Sequence, residues 1–178
     1  RDGKKSFLAG DKKTARLPKK YRYPVVLFEP DDLNLVSSSP SHKREYFDRS
    51  FGQLDDTYSG LVSKYNKALR QRNELLKSEL VSSEAVFSWN VMLARLGSQI
   101  WQKREEMVEG VNKRLTEVYR SIAENEDEVY LSLVRDVEAV DESGYLKELE
   151  RNLEKDKILG YTSFGAHRDN YEFAFNGS

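Results

Sequence analysis

The sequence contains no cysteine, which excludes disulfide bonds and thiolate-bound metal sites and fits a reducing, cytoplasmic location. It has only two histidines, and this disfavours a zinc site. No apolar run approaches the length of a membrane span or of a signal-peptide core. The composition therefore predicts a protein without a membrane partner and without a structural metal.

The phosphate-binding and nucleophile motifs of common enzyme classes are also missing. A Walker phosphate loop needs G-x-x-x-x-G-K-[ST], and the nearest stretch, Gly10-Asp11-Lys12-Lys13-Thr14, lacks the second glycine. Neither G-x-G-x-x-G nor G-x-S-x-G occurs. We therefore expect no catalytic residues, no metal ligands and no enzyme activity in this chain by itself.

Charge is abundant but nearly balanced. Charged residues make up 33% of the chain, hydrophobic residues 38%, and the net charge is -1, so bulk charge gives no nucleic-acid signal. Residues 1–22 are locally basic, with nine basic and two acidic side chains. They suit either contact with phosphates or a solvated loop. The same two readings remain open for the basic helix positions Lys43, Arg44, Arg70 and Arg72.

Proline is confined to the first forty residues, and long helices are predicted after it. Ser39 and Pro40 form a helix start, and that helix should end near Gly52. A second helix should run from Asp55 or Asp56 to about Leu80, and a third from 84 to 124. The third would be about 60 Å long, so the two predict an antiparallel helical hairpin that projects outward. Its apolar stripe has nearly heptad spacing and comprises Val86, Trp89, Leu93, Leu96, Ile100, Met107, Val111, Leu115, Val118 and Ile122.

Short β-like stretches flank these helices. Strands are predicted at 6–9, 25–28, 129–134, 161–164 and 171–175, a weak basic helix or loop near 12–20, and a fourth helix at 145–159. The fold class is therefore mainly α with small β elements, an α+β arrangement.

Two polar stretches could carry chemistry. Asp31-Asp32 could serve a magnesium ion or could be a solvated acidic turn with a helix cap. His167-Arg168-Asp169 could contact a phosphate or carboxylate, or could be a hydrogen-bonded hairpin turn.

Two long motifs resemble the RecF family of bacterial replication and repair ATPases. The first, residues 25–77, includes Phe28, Pro30, Asp31-Asp32-Leu33, Phe47-Asp48 and the run Leu69-Arg70-Gln71-Arg72-Asn73. The second, Gly160 to Asn170, is similar to the family pattern G-x-T-x-x-G-P-H-R-D-D. Ala166 replaces the proline of that pattern, and Asn170 replaces its last aspartate.

The resemblance implies a layout like that of SMC-type and ABC-type ATPases, whose head is interrupted by a helical arm. Residues 1–36 would belong to the ATPase lobe with a Q-loop-like junction, 37–125 to the arm, and 126–178 to a return segment. Phe28, Asp31 and Asp32 would lie near the nucleotide. The ATPase motifs would precede Arg1 and follow Ser178, so we expect the chain to be a piece of a longer protein.

The function that the resemblance implies is ATP-dependent DNA binding in repair, recombination, replication and the SOS response. The longer protein would use ATP and Mg²⁺, form a homodimer with ATP, and act at gapped or junction duplexes with RecO, RecR and RecA. DNA contacts would come from Lys43, Arg44, Arg70, Arg72, His167 and Arg168. The alternative is the arm of another SMC-like ATPase, with a structural dimerisation role and no direct DNA contact.

Overall fold

The computed structural model describes residues 6–18, 21, 23–25, 34–78, 82–137 and 141–176. The predicted strand at 25–28 falls outside these ranges except for Val25, and so do Phe28, Asp31 and Asp32. The elements, in chain order, are β1 (Phe7–Ala9), β2 (Lys12–Thr14), α1 (Pro40–Leu54), α2 (Asp56–Leu76), α3 (Ser83–Ala123), β3 (Val129–Val134), α4 (Glu142–Arg151), α5 (Leu153–Leu159) and β4 (Asn170–Phe175). This composition confirms the predicted class, mainly α with small β elements.

Side-chain caps start the first three helices. Ser39 accepts a hydrogen bond from the backbone N–H of His42, and Pro40 follows it as predicted. Asp55 accepts from the N–H groups of Thr57 and Tyr58 at the start of α2. Because Asp55 also ends α1, that helix runs to Leu54 rather than stopping near Gly52.

Helices α2 and α3 pack side by side in opposite directions. Near the start of α2, Tyr58 contacts Arg104 in the middle of α3, whereas near its end Arg72 contacts Asn90 early in α3. The 41 residues of α3 extend about 60 Å. The hairpin therefore forms as predicted, and its buried stripe continues into a core shared with α1, α4 and β4.

Each sheet has two antiparallel strands among the described residues, β1 with β2 and β3 with β4. The second edge of β3 is covered by helix side chains instead of a strand. Asn112 exchanges two 2.8 Å hydrogen bonds with the N–H and C=O of Leu131, and Thr116 pairs in the same way with Val129. Thus α3 supplies, from two side chains one turn apart, the partners that a neighbouring strand would give.

Three sequence predictions of local structure are wrong. Residues 12–14 form a strand, because Gly10 adopts φ 62° and turns the chain back on β1. The fourth helix is divided at Asn152. Residues 161–164 form no strand, because the backbone N–H groups of Thr162 and Ser163 bind side chains of Asn73 and Asp156.

No helix in the described part of the chain is long and apolar enough to cross a membrane. The predicted domain boundaries at 36 and 125 stay predictions.

Candidate functional site

The return loop, residues 160–170, is fastened to the helices by three buried polar clusters. The first surrounds Arg72, whose side chain is fully buried. Its Nε donates to Asn90 Oδ1, and its Nη1 donates to Asp156 Oδ2 and to Thr162 Oγ1, each at 2.7 Å. The guanidinium therefore joins α2, α3, α5 and the return loop at one point.

Thr162 is held by a second residue of α2. Asn73 Oδ1 accepts from the Thr162 backbone N–H at 2.9 Å and from its hydroxyl at 2.6 Å. The hydroxyl thus donates to Asn73 and accepts from Arg72. Asp156 accepts from the N–H of Ser163 with its other oxygen, at 2.8 Å. Most polar groups of this cluster are paired, but among the described residues Arg72 Nη2 and Ser163 Oγ are buried without a hydrogen-bond partner.

The second cluster is a chain of hydrogen bonds through Tyr145, Tyr65 and His167. The N–H of Ala166 donates to the Tyr145 hydroxyl at 2.9 Å, and 2.9 Å separates that hydroxyl from the Tyr65 hydroxyl. Tyr65 lies 3.0 Å from His167 Nδ1, and Nε2 lies 3.0 Å from the carbonyl oxygen of Thr162. A carbonyl only accepts, so we assign the proton to Nε2, and each hydroxyl then donates toward Nδ1.

Burial keeps His167 in its neutral form. It lowers the pKa of His167 to about 4, and nearby Arg168 and Arg44 lower it further against the opposing bond to Thr162. Burial likewise raises the pKa of Tyr65 to about 12. The chain of donors and acceptors is therefore fixed in one direction at neutral pH.

The third cluster surrounds Arg104, a buried residue of α3. Its Nε donates to the Tyr58 hydroxyl at 3.0 Å, and its Nη2 donates to both oxygens of Asp48 at 2.9 and 3.0 Å. Its Nη1 donates at 2.6 Å to the carbonyl of Ala166 and to Asp169 Oδ2. All the nitrogens of this guanidinium are thus occupied. Trp101 Nε1 donates to Asp169 as well, at 3.0 Å.

A cavity of about 430 Å³ opens beside these clusters, between α1, α2, α3 and the return loop. Its apolar floor includes Val62, Ile100 and Ala166. Its polar lining consists of Arg44, Glu45, Asp48, Arg49, Ser59, Tyr65, Asn66, Arg104 and His167. The lining carries three arginines against two carboxylates.

Other arginines lie near Arg44 or on the same side of α2 as Asn66, two residues that line this cavity. Burial lowers the pKa of Arg44, and Arg104 and Arg168 lower it further, so these cations lie close together. Arg168 is exposed beside His167, and Arg70 is exposed one helical turn beyond Asn66 on the same side of α2. We call Arg44, Arg49, Arg70 and Arg168 the arginine face.

The residues predicted to touch DNA divide into two groups. Arg70 and Arg168 are exposed, and Arg44 is half-buried with one N–H bound to the carbonyl of Asp169 at 2.5 Å. Lys43 and Arg72 are buried, at 8% and 0% exposure, so predicting them as DNA contacts was wrong. His167 has both ring nitrogens engaged inside the protein, and the same correction applies to it.

Sequence reasoning missed Arg104, Tyr65 and Tyr145 as site residues, and it named Asp169 only as part of the polar stretch His167-Arg168-Asp169. A signal was present in the helix spacing. Tyr58, Tyr65 and Arg72 follow one another at intervals of seven, which places the arginine on the buried stripe of α2. Arg104 lies four residues from Ile100 and from Val108, both buried on α3. A charged residue on an apolar stripe indicates a buried partner.

The curated relatives reported below carry the same protein name. No family model matches the chain. It is similar to the DNA replication and repair protein RecF of Clostridium perfringens, with 32% identity over 99% of this chain and 50% of that protein. RecF of Bacteroides thetaiotaomicron is 34% identical over 95% of this chain and 46% of that protein. The chain spans about half the length of the curated relatives it matches.

Two solved structures share the fold. One is the recombination mediator protein RecF-ATPrS in the RecFOR pathway, with a TM-score of 0.76, 24% identity, and coverage of 85% of this chain and 43% of that chain. The other is RecF-ATP in the same pathway, with a TM-score of 0.76 and coverage of 84% and 42%.

Proposed function

We propose that the chain belongs to the RecF family, which its two motifs resemble, and that it forms the arm of a RecF-type DNA replication and repair protein. The whole protein binds DNA in an ATP-dependent manner and, with RecO and RecR, helps to load RecA at gaps. In this proposal the chain's own task is to hold DNA through the arginine face. The working compartment is the cytoplasm.

The observation that carries the proposal is the arginine face itself. Arg44 lines the cavity, Arg168 lies close enough to lower the pKa of Arg44, and Arg70 is exposed on α2 one turn beyond the lining residue Asn66, although the three come from different parts of the chain. Arginine forms charge-assisted, often paired, hydrogen bonds with phosphate oxygens and reads no base sequence. Such a surface fits a protein that acts on DNA of any sequence.

ATP and Mg²⁺ do not fit the described residues. These residues include no glycine-rich loop before a helix, and no three His, Asp or Glu side chains lie close enough together to hold a metal ion. Phe28, Asp31 and Asp32, which are expected near the nucleotide, lie outside the described residues, and no step of this proposal uses ATP or Mg²⁺.

The three clusters give the DNA-binding task a rigid support. Arg168 lies between His167 and Asp169, whose side chains are fixed by Tyr65 and Arg104 respectively. An exposed arginine on such an anchored turn pays less conformational entropy on binding than one on a free loop. The return loop thereby presents one cation in a constant position relative to α1 and α2.

The test is DNA binding by the 178-residue chain and by the longer protein, measured by fluorescence anisotropy across a salt series. We expect affinity to fall steeply with salt, because phosphate contacts release counterions. Arg70→Ala and Arg168→Ala should each weaken binding and reduce the salt dependence by about one ion. Arg95→Ala is the matched control, since Arg95 is exposed on α3 and lies roughly 140° around the helix from Ile100.

Equal effects from Arg95→Ala and Arg168→Ala would contradict a defined DNA face. Folded protein that binds no duplex at low salt would favour the alternative, an arm with a structural dimerisation role. Analytical ultracentrifugation of the longer protein with ATP then measures that dimerisation directly.

A further inference from the structure

The cavity beside the arginine face has properties that a flat DNA-binding surface does not need. It is an open cavity with a volume of about 430 Å³, which lies within the usual range of small-ligand pockets. Hydrogen-bonding side chains enter it from both sides, Arg44 and Arg49 from α1 and Ser59 and Asn66 from α2. A group with several acceptor oxygens fits such a lining.

The arginines around the cavity differ in how many of their hydrogen-bond donors are already used within the protein. Arg104 uses all its nitrogens inside the protein, and its single positive charge is shared between Asp48 and Asp169. Arg44 makes one side-chain hydrogen bond among the described residues, from Nη1 to a backbone carbonyl. Its other donors therefore remain available on the cavity side.

The carboxylates that face the cavity do not reverse this balance. Asp48 accepts from Arg104 through both oxygens and from the Tyr58 hydroxyl, so its charge is already paired. Glu45 is exposed at the rim, and Arg49 lies on the same helix one turn later. Together Arg44, Arg49, Arg104 and Arg168 carry one positive charge more than Glu45, Asp48 and Asp169.

We propose that this cavity is a phosphate site in which Arg44 binds the phosphate group, assisted by Arg49, Ser59 and Asn66. The group comes from a strand of DNA held on the arginine face. This second statement rests on the proposed function, whereas the phosphate site itself does not. Phosphate in the cavity would also offset the repulsion between Arg44, Arg104 and Arg168.

Nuclear magnetic resonance of the ¹⁵N-labelled chain tests the site with inorganic phosphate as the probe. We expect saturable shifts at the amides of Arg44, Ser59, Asn66 and His167. Arg44→Gln should weaken phosphate binding about tenfold or more, because a charge-assisted hydrogen bond is lost. Arg44→Lys keeps the charge and should retain part of the affinity. The Arg95→Gln control should leave phosphate affinity within about twofold of wild type.

Binding of a short duplex by the same variants identifies the source of the phosphate. If Arg44→Gln weakens duplex binding about tenfold while Arg95→Gln does not, the ligand is the DNA backbone. If duplex binding is unchanged but the phosphate shifts are lost, the site stands and its ligand is a free phosphate or a nucleotide. If the wild-type chain binds no duplex, yet phosphate moves the amide resonances of the cavity residues, then the proposed function is wrong and the phosphate site stands. Absence of phosphate shifts at the cavity, or equal shifts in wild type and Arg44→Gln, overturns the site.

Discussion

Arg72 and Thr162 lie 90 residues apart in the chain and are joined by a fully buried hydrogen bond of 2.7 Å. The bond connects the two sequence motifs that carry the family resemblance, one on α2 and one in the return loop. Asn73 makes a parallel connection to the same threonine. The two motifs therefore form one structural joint, which fixes Thr162 of the return loop near the α2–α3 turn of the helical hairpin.

Replacing Arg72 with methionine should strongly destabilise the fold. The substitution leaves Asp156 buried without its ion-pair partner, although one oxygen keeps the N–H of Ser163. Removing one partner of a buried pair costs about 3–5 kcal/mol of unfolding free energy. Chemical denaturation followed by circular dichroism measures the change.

The neighbouring exposed residue provides a control for Arg72→Met. Arg70→Met removes the same charge two positions earlier and should change stability by less than about 0.5 kcal/mol. The double variant Arg72→Met with Asp156→Asn should cost less than the sum of the two single changes, because no unpaired charge remains. A cost below about 1 kcal/mol for Arg72→Met would show that the pair contributes little.

A methyl group at Gly97 should collide with Tyr145. A Cβ built at Gly97 lies within van der Waals overlap of Tyr145, 2.5 Å from both its Cε2 and its hydroxyl oxygen, and the ring is fully buried. Gly97→Ala should therefore destabilise the protein by about 1–3 kcal/mol, despite alanine's better helix propensity. Thermal denaturation of the purified variant measures the loss.

Gly110→Ala is the matched substitution on the same helix. Nothing lies within 4 Å of a Cβ at Gly110, so alanine should stabilise α3 by about 0.5–1 kcal/mol. Opposite signs for the two variants would support the close packing of Tyr145 on α3. Equal stabilisation by both would refute it.

The helices could be predicted from the sequence because caps and the spacing of apolar residues determine them locally. Ser39, Asp55 and Ser82 cap helices at the predicted starts, and the long apolar stripe of α3 specifies its buried side. Caps and periodicity depend on neighbours within a few residues, and the printed sequence contains those neighbours. The same reasoning could not show that Asn152 divides the fourth helix.

The candidate site could be predicted only in part, because its bonds join distant residues. Arg168 was recognised from its motif and is exposed, but Arg72 belongs to an equally basic motif and is fully buried. Only the partners Asp156, Asn90 and Thr162 distinguish the two cases, and they lie between 18 and 90 residues away. Composition and spacing alone do not assign such pairs.

His167 should make the stability of the protein dependent on pH. Its pKa falls from 6.5 to about 4 on folding, so the unfolded chain binds more protons between these values. The free energy of unfolding therefore decreases as pH falls from 6.5 to 4, by about 3 kcal/mol from this residue, and the loss is complete below pH 4. Denaturant titrations at several pH values measure the decrease.

The two histidines allow a controlled comparison. The variant His167→Gln lacks this titrating group. Between pH 7 and pH 4 its free energy of unfolding should therefore fall by about 3 kcal/mol less than that of wild type. His42 is exposed near the start of α1, so His42→Gln is the control for replacing a histidine at the surface. Parallel curves for wild type and His167→Gln would exclude a buried neutral His167.

Asn112 should protect the edge of β3 from opening and from pairing with other strands. Asn112→Ala removes both partners of the Leu131 backbone, whose N–H and C=O each bind the asparagine at 2.8 Å. Leaving those groups unpaired should cost about 1–3 kcal/mol and speed hydrogen exchange at the Leu131 amide. Exchange at Ser132 should change less, because in an antiparallel ladder its N–H faces β4. Lys113→Ala, an exposed change beside it, is the control, and equal exchange rates at Leu131 in both variants would contradict the edge-covering role.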